Sequence, residues 1–210
     1  MLFRKKIKSL FQSAVDHVVS NISQFTVHPE KDLTRNKKFP ADKLISFLIS
    51  EGSSSTRVEL LDFFGMNTAT PTASAFNQQR AKLKPEAMEY LFRRFTQKTP
   101  AKKSFHGYRL LAVDGSDLKI FTNPNDEESY YPGTNGQKPY SLLHLNALYD
   151  LENHIYLDAF IQKSRANNEN KALNAMVDRS EISRAILLAD RGYESYNNLA
   201  HLQEKGWYYL

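Results

Sequence analysis

Apolar residues recur at three- and four-residue spacings through the first hundred residues, and this period predicts a series of amphipathic helices. The longest apolar stripe consists of Ile7, Leu10, Phe11, Ala14, Val15, Val18, Ile22 and Phe25. Further segments of the same period begin near Pro40, Thr56, Thr70 and Pro85. The first half of the chain is therefore predicted to be all-helical.

Helix boundaries can be predicted at two of these points. Thr56 with Glu59 matches a capping box, in which each side chain satisfies a backbone N–H of the first turn. Thr70 followed by Pro71 matches a helix cap and first turn. These signals divide the segment from Thr56 to Leu83 into a helix, a turn and a second helix.

The period changes after the basic stretch TQKTPAKKSFHG, near residues 97–107. Short apolar runs predict strands at 108–113, 141–149, 154–161, 185–189 and from 207 onward, and helices at 170–182 and 196–205, with a loop at 122–140. The order β-β-β-α-β-α-β predicts a mixed sheet with helices on its faces. We therefore predict a helical domain over 1–105 and an α/β domain over 106–210.

Composition narrows the class of protein. The chain has 210 residues, 41% of them hydrophobic, which is enough for a sizeable core. It has no cysteine, so disulfides and thiolate metal sites are excluded. No apolar run approaches the roughly 20 residues that span a bilayer, and the start MLFRKKIKSLF lacks a signal-peptide pattern. We expect a cytoplasmic protein with no membrane partner.

Charge is distributed unevenly between the two halves. Residues 1–110 carry 19 Lys and Arg against 9 Asp and Glu, whereas residues 111–210 carry 9 against 14. This asymmetry predicts that the first half meets a polyanion and that the second half holds a cluster of acids. A solvated basic surface without a partner is an equally good interpretation of charge alone.

Two acids occupy comparable positions in the second half. Asp114 follows the apolar run LLAV, and Asp190 follows ILLA. If these strands lie side by side in parallel, both carboxylates emerge at one edge of the sheet, where they repel unless a proton or a cation lies between them. Oxygen ligands favour Mg²⁺ or Mn²⁺, and a pair of such ions promotes in-line attack at a phosphodiester. Alternatively, each aspartate caps a strand-to-loop turn.

The segments LAVDGSDLKIF and ILLADRGYESYNNL resemble transposases of the IS4 class, insertion-sequence enzymes with a DDE catalytic triad on a ribonuclease H-like fold. The resemblance implies that Asp114 and Asp190 are catalytic and bind two Mg²⁺ or Mn²⁺ ions. It also implies cleavage and strand transfer of double-stranded DNA at the ends of a mobile element and in its target. Arg191 and Tyr193 would then lie near the DNA backbone.

The family's third acid is a glutamate in a downstream signature, and no Tyr-x-x-Arg-x-x-x-Glu pattern follows Asp190. We therefore expect the N-terminal portion of a bacterial, nucleoid-associated transposase, truncated within its ribonuclease H-like domain and inactive or very weak by itself. The resemblance allows a homodimer in a synaptic complex. The alternative is a non-catalytic remnant that binds element ends or inhibits an intact transposase.

The predicted second helix of the helix-turn-helix segment carries side chains suited to DNA. Asparagine, glutamine and arginine read base edges, and lysine suits phosphates. The predicted DNA-binding residues are Asn77, Gln78, Arg80, Lys82 and Lys84. The basic clusters RKKIK and RNKK would add salt-dependent affinity that is blind to sequence. The alternative is a helical bundle whose polar face is only hydrated.

Three other polar residues are interpreted structurally. Asp117 lies three residues beyond Asp114, on the other face of a regular strand, which favours a surface role. His144 lies within an apolar run and is interpreted as a hydrogen-bonded core histidine. Glu169 places a favourable charge at a helix N-terminus, although it also resembles an acid found there in part of the family.

Overall fold

The computed structural model describes residues 2–34, 39–101, 103–134 and 136–210, without the side chains of residues 2 and 3. The predicted phosphate-binding cluster RNKK, residues 35–38, lies outside these ranges. The chain divides into two compact units, Met1–Thr99 and Pro100–Leu210. Each unit is considered by itself below.

The first unit is helical, as its hydrophobic period predicts. Its helices are α1 Leu2–Ser20, α2 Ala41–Ser50, α3 Thr56–Phe63, α4 Ala73–Arg80 and α5 Glu86–Lys98, with a short 3₁₀ segment at Ile22–Phe25. One apolar cluster joins α1, α2 and α5. A second cluster is rich in aromatic rings and includes Phe39, Phe47 and Phe76. Phe47 and Phe76 pack edge to face with ring centroids 4.9 Å apart, which fixes α4 on α2.

Both predicted helix starts are displaced along the chain. Ser55, not Thr56, is the N-cap of α3, and Glu59 accepts a hydrogen bond from the Ser54 backbone N–H at 2.8 Å. Thr72, not Thr70, caps α4, and its hydroxyl accepts from the Ala75 N–H at 3.2 Å. At α4 the cap type is therefore right and its position is wrong, whereas at α3 the Ser55 hydroxyl caps no N–H and only the glutamate half of the predicted capping box finds a backbone partner.

Over its described residues, the second unit is a six-stranded mixed sheet with two α-helices. Its elements are β1 Arg109–Ile120, β2 Tyr130–Tyr131, β3 Tyr140–Asp150, β4 Ile155–Lys163, α6 Glu169–Asp178, β5 Ala185–Leu188, α7 Tyr196–Glu204 and β6 Tyr208–Tyr209. The strand order is β2-β3-β1-β5-β6, with β4 also paired to β3. β1 pairs antiparallel with β3 and parallel with β5. The predicted α/β mixed sheet preceded by helices is confirmed, and its assignment to the ribonuclease H-like type stays a prediction.

β1 is longer than the predicted run over 108–113, because it continues through the polar stretch to Ile120. Backbone pairing with β3 is unbroken from Leu111↔Asp150 to Ile120↔Ser141, so the polar side chains do not end the strand. The predicted loop 122–140 likewise contains β2, which pairs with the start of β3. Hydropathy missed both features because strand hydrogen bonds come from the backbone.

The core of this unit lies between one face of the sheet and α6 and α7. Leu111, Val113 and Leu187 are buried among side chains of both helices. Full burial of each such side chain stabilises the fold by about 1.5–3 kcal/mol. Among the described residues no helix combines the length and hydropathy that crossing a membrane requires.

Candidate active site

Asp114 and Asp190 are carried to the same level of the sheet. The strands β1 and β5 are adjacent and parallel, and their ladder ends at the pair Ala112↔Leu188. Asp114, still within β1, and Asp190, just after β5, each stand two residues beyond this pair. Adjacent strands lie about 4.8 Å apart, so the two backbones are neighbours where the carboxylates branch off.

Each carboxylate is anchored by a backbone N–H and remains exposed. Asp114 Oδ1 accepts from the Gly115 N–H at 2.8 Å. Asp190 begins the 3₁₀ turn Arg191–Tyr193, and its Oδ1 accepts from the Gly192 N–H at 2.7 Å. The alternative interpretation, in which the aspartate caps a turn, is therefore observed for Asp190, and its carboxylate remains exposed to solvent.

The arrangement fits part of a coordination shell for a hard divalent cation. Mg²⁺ commonly takes one or two protein carboxylates and completes its octahedron with waters and substrate phosphates. Within the described ranges, no group of three or more His, Cys, Asp or Glu side chains is placed to hold a metal ion. The two aspartates therefore offer an incomplete set, and binding of Mg²⁺ or Mn²⁺ stays a prediction.

A third carboxylate reaches this edge from α6. Glu169 Oε1 lies 3.1 Å from His144 Nε2, and His144 Nδ1 lies 2.9 Å from Asp117 Oδ1. A Cβ added to Gly115 would stand 2.7 Å from both Glu169 Oε1 and His144 Nε2. The glycine beside Asp114 thus leaves the space that this histidine–glutamate pair occupies.

Tyr193 lies in the core and not on the surface. It is 3% exposed, and its hydroxyl donates to Asn146 Oδ1 at 2.7 Å, within the buried centre of β3. Burial first, and then the charges of Glu169, Asp114 and Asp190, raise the pKa of the Tyr193 hydroxyl well above its ordinary value. The structure contradicts the predicted contact of Tyr193 with the DNA backbone, because the hydroxyl is enclosed and its proton is committed to Asn146.

Arg191 is exposed at the same edge. It follows Asp190 directly and, with that residue, lines a largely apolar cavity of about 350 Å³ beside Leu187 and Tyr209. A guanidinium in this position can form paired hydrogen bonds with a phosphate, so the predicted contact of Arg191 with DNA stays a prediction.

The predicted DNA-reading residues of the first unit are presented in two ways. Asn77, Gln78 and Arg80 are exposed on α4, and the Arg80 guanidinium lies 5.4 Å from the ring centroid of the buried Phe76. Lys82 and Lys84 are half-buried and lie after the helix. The backbone there is tied to the 3₁₀ segment, since the Lys84 N–H donates to the Phe25 carbonyl at 2.8 Å. α4 therefore supplies three of the five residues, and their role in DNA binding stays a prediction.

Sequence reasoning gave structural roles to the residues that surround the acids. His144 is buried and hydrogen-bonded, as interpreted, but one of its two carboxylate partners, Glu169, lies at the site. Asp117, interpreted as a surface residue, is half exposed and contacts the imidazole. The available signal was Gly115, because a glycine within a strand marks the close approach of another group.

A mixed sheet that presents two aspartates on adjacent parallel strands defines the class of the second unit. Residues 105–210 match the family described as Transposase DDE domain, and the chain belongs to this family. The resemblance to DDE transposases is thereby confirmed, while the narrower assignment to the IS4 class stays a prediction.

Similar proteins carry the same description. The chain is 28% identical over 184 residues to "Putative transposase InsZ" of Escherichia coli (strain K12), and the match covers 82% of this chain and 60% of that protein. The chain thus spans less than two thirds of the length of this relative. Two solved structures of Mos1 transposase, a pre-cleavage transpososome and a paired-end complex with the left transposon end, show 13% and 14% identity. Each match covers 88% of this chain and 62% of the Mos1 chain. The TM-scores are 0.31 and 0.34, which do not establish equivalent residues.

Proposed function

We propose that this chain acts on double-stranded DNA as part of a transposase of the IS4 type, in which Asp114 and Asp190 serve metal-dependent strand cleavage and strand transfer. The observation that carries the proposal is the parallel pairing of β1 with β5 in the register Ala112↔Leu188, since Asp114 within β1 and Asp190 after β5 each stand two residues beyond this pair. Family membership supports the same reaction class.

The aspartates supply negative oxygen ligands at an open edge that a DNA backbone can approach. A bound Mg²⁺ or Mn²⁺ would polarise a phosphodiester and lower the pKa of an attacking water or hydroxyl, and two such ions would serve both sides of the phosphorus. Arg191 would bind a neighbouring phosphate and compensate the negative charge of the acids.

The first unit would hold the DNA. Asn77, Gln78 and Arg80 project from α4, whose buried side packs against the aromatic cluster. Lys82 and Lys84 would add phosphate contacts, which strengthen binding to any sequence and weaken it as salt rises. The excess of positive charge in residues 1–110 supports this assignment.

We further propose that the 210-residue chain by itself cleaves DNA weakly or not at all, because among its described residues no third acid is placed to share a metal ion with Asp114 and Asp190. The second candidate function is binding without chemistry, either to element ends or in competition with an intact transposase. The exposed polar face of α4 favours this candidate independently of the acids.

The test uses the purified 210-residue chain and a pool of random-sequence duplexes of about 30 base pairs, over roughly 50–200 mM salt. Asp190→Ala should leave duplex affinity unchanged or slightly higher, because it removes a negative charge near the DNA. Asp178→Ala, at the far end of α6, is the matched control. Loss of duplex binding in Asp190→Ala alone would make Asp190 a structural residue and end the metal proposal, and Mg²⁺-dependent nicking of plasmid DNA by the unaltered chain would contradict the predicted inactivity.

A further inference from the structure

His144 connects two acids of different elements. It is 7% exposed, and its two ring nitrogens face Asp117 on β1 and Glu169 at the start of α6. Carboxylate oxygens only accept, so the ring must donate at both nitrogens for both contacts to be hydrogen bonds. Asp117 Oδ1 also accepts from the Ser164 hydroxyl at 3.2 Å, which fixes the outer end of the chain of contacts.

The backbone leaves room for this arrangement on both sides of Glu169. Gly115 does not have a positive φ, so its lack of a side chain is explained by space: a Cβ would collide with Glu169 Oε1 and His144 Nε2 at 2.7 Å. A Cβ on Gly192 would stand 3.0 Å from Asp190 Oδ1 and 3.3 Å from Glu169 Oε2. The Glu169 carboxylate therefore lies between the glycine that follows Asp114 and the glycine of the Asp190 turn.

A hydrogen-bond path that is buried at its Tyr193–Asn146 end connects the Asp190 turn with the start of α6. Tyr193, in the Asp190 turn, donates to Asn146, whose amide lies 3.5 Å from Gln162 Oε1. Gln162 Oε1 in turn accepts from the backbone N–H of Asn168, the N-cap of α6. The Asp190 turn is thus held to β3 and the start of α6 to the neighbouring strand β4, by contacts that do not involve the acids.

We propose that His144 is a positioning residue of the acid site, which holds the Glu169 carboxylate beside Asp190 so that its negative charge increases the affinity of the site for a divalent cation. The inference rests on the proposed function. The negative charge of Glu169 increases the attraction of the Asp190 site for a cation. His144 contributes only by holding the Glu169 side chain in place.

Mn²⁺ alone is the probe, and the fraction of free Mn²⁺ is measured by electron paramagnetic resonance with the complete 210-residue chain. Glu169→Gln and His144→Gln should each weaken Mn²⁺ binding about tenfold or more, the range typical of residues that support metal ligands. The double variant should be no weaker than Glu169→Gln alone, because both substitutions remove one interaction. Duplex DNA affinity should not change.

The chain offers a matched control pair. His201 Nε2 lies 2.7 Å from Asp178 Oδ1, at the opposite end of α6. Asp178→Asn, on α6, and His201→Gln, on α7, remove the same chemical groups away from the acids and should leave Mn²⁺ binding unchanged. If Glu169→Gln does not fold, Glu169→Asp tests the proposal instead. This variant keeps the negative charge but moves the carboxylate away from His144, so it should also weaken Mn²⁺ binding.

The outcomes separate the two proposals. Mn²⁺ binding that is lost in Asp190→Asn but unchanged in Glu169→Gln, Glu169→Asp and His144→Gln would overturn the positioning role and leave the proposed function standing. Weaker binding in His144→Gln with normal binding in Glu169→Gln would also overturn it, since His144 would then act without Glu169. No Mn²⁺ binding in the unaltered chain, or none lost in Asp190→Asn, would contradict the cation site and with it this inference.

Discussion

The two units treat their polar residues in opposite ways. In the helical unit, the side chains proposed to contact DNA stand on the exposed side of α4, over a cluster of aromatic rings. In the sheet unit, the buried His144 contacts Glu169, and Tyr193 ties the turn that begins at Asp190 to the buried Asn146. Phosphate contacts are electrostatic and tolerate mobile side chains, whereas chemistry at a phosphodiester requires groups held in position.

The difference teaches where each function can be damaged. Binding by α4 depends on whether the helix is held on its aromatic base. The acid site depends on single hydrogen bonds, because a buried polar atom that loses its partner costs free energy that nothing else recovers. Substitutions that separate these two dependences are ordered below by the size of the expected effect.

The largest effect is expected for Phe76→Ala. Phe76 is 1% exposed and contacts the rings of Phe39 and Phe47, so removing it should lower the free energy of unfolding by about 3–5 kcal/mol. Duplex binding should fall sharply, because α4 loses its anchor. The measurement is denaturant unfolding together with duplex affinity.

Phe121→Ala is the control for this substitution. Phe121 is 96% exposed, and the same change there should alter the free energy of unfolding by no more than about 0.5 kcal/mol. Equal losses in the two variants would show that α4 is not held by the aromatic cluster.

Tyr193→Phe should lower the stability of the sheet unit by about 1–3 kcal/mol, because the buried Asn146 Oδ1 loses its donor while packing volume is kept. Tyr196→Phe removes the hydroxyl of a residue that is 95% exposed and should have no measurable effect. Denaturant unfolding of both variants gives the comparison, and a Tyr193→Phe protein as stable as the unaltered chain would contradict the structural role of this hydroxyl.

Arg80→Ala should weaken duplex binding and reduce the salt dependence of the association constant by about one unit of slope if the guanidinium neutralises a phosphate. The fold should be unaffected, since Arg80 is exposed. Arg184→Ala changes an exposed arginine of the other unit and should leave binding nearly unchanged. The same slope in Arg80→Ala as in the unaltered chain would remove Arg80 from the DNA contact.

The smallest effect is a pH dependence above neutrality. Since burial raises the pKa of Tyr193 in the folded chain, its contribution to stability is complete below the ordinary tyrosine pKa of 10.0 and is lost as pH rises from there. Unfolding free energies measured across pH 9–11 should therefore fall less steeply in Tyr193→Phe. Identical pH slopes in the two proteins would contradict the raised pKa.

Sequence patterns predicted the elements better than their details. Hydrophobic period was sufficient for the five helices and for the order of the main strands, because burial of one face dictates those spacings. It could not show that β1 continues through Asp114 to Ile120, since that extension depends on backbone pairing with β3. The cap of α4 was misplaced because Thr72, two residues after Thr70, offers the same hydroxyl and accepts from the Ala75 N–H.

The part of the candidate site that depends on short sequence patterns could be predicted, and the part that depends on contacts between distant residues could not. Asp114 and Asp190 follow apolar runs, and their equal level on the sheet requires only that β1 and β5 be parallel neighbours. The roles of His144 and Glu169 depend on a contact between residues 25 positions apart in the sequence. That contact occupies space on β1 that a side chain at Gly115 would fill. Tyr193 was misplaced because its position next to Arg191 and Gly192 says nothing about which way its ring points.

The most direct test of the shared cation site is a Mn²⁺ titration of the unaltered chain, Asp114→Asn and Asp190→Asn, followed by electron paramagnetic resonance. We expect saturable binding by the unaltered chain and its loss in both variants, with normal binding in Asp178→Asn. Binding that persists unchanged in either Asp114→Asn or Asp190→Asn would show that the two aspartates do not hold one cation between them, and the metal-dependent function proposed for this edge would be wrong.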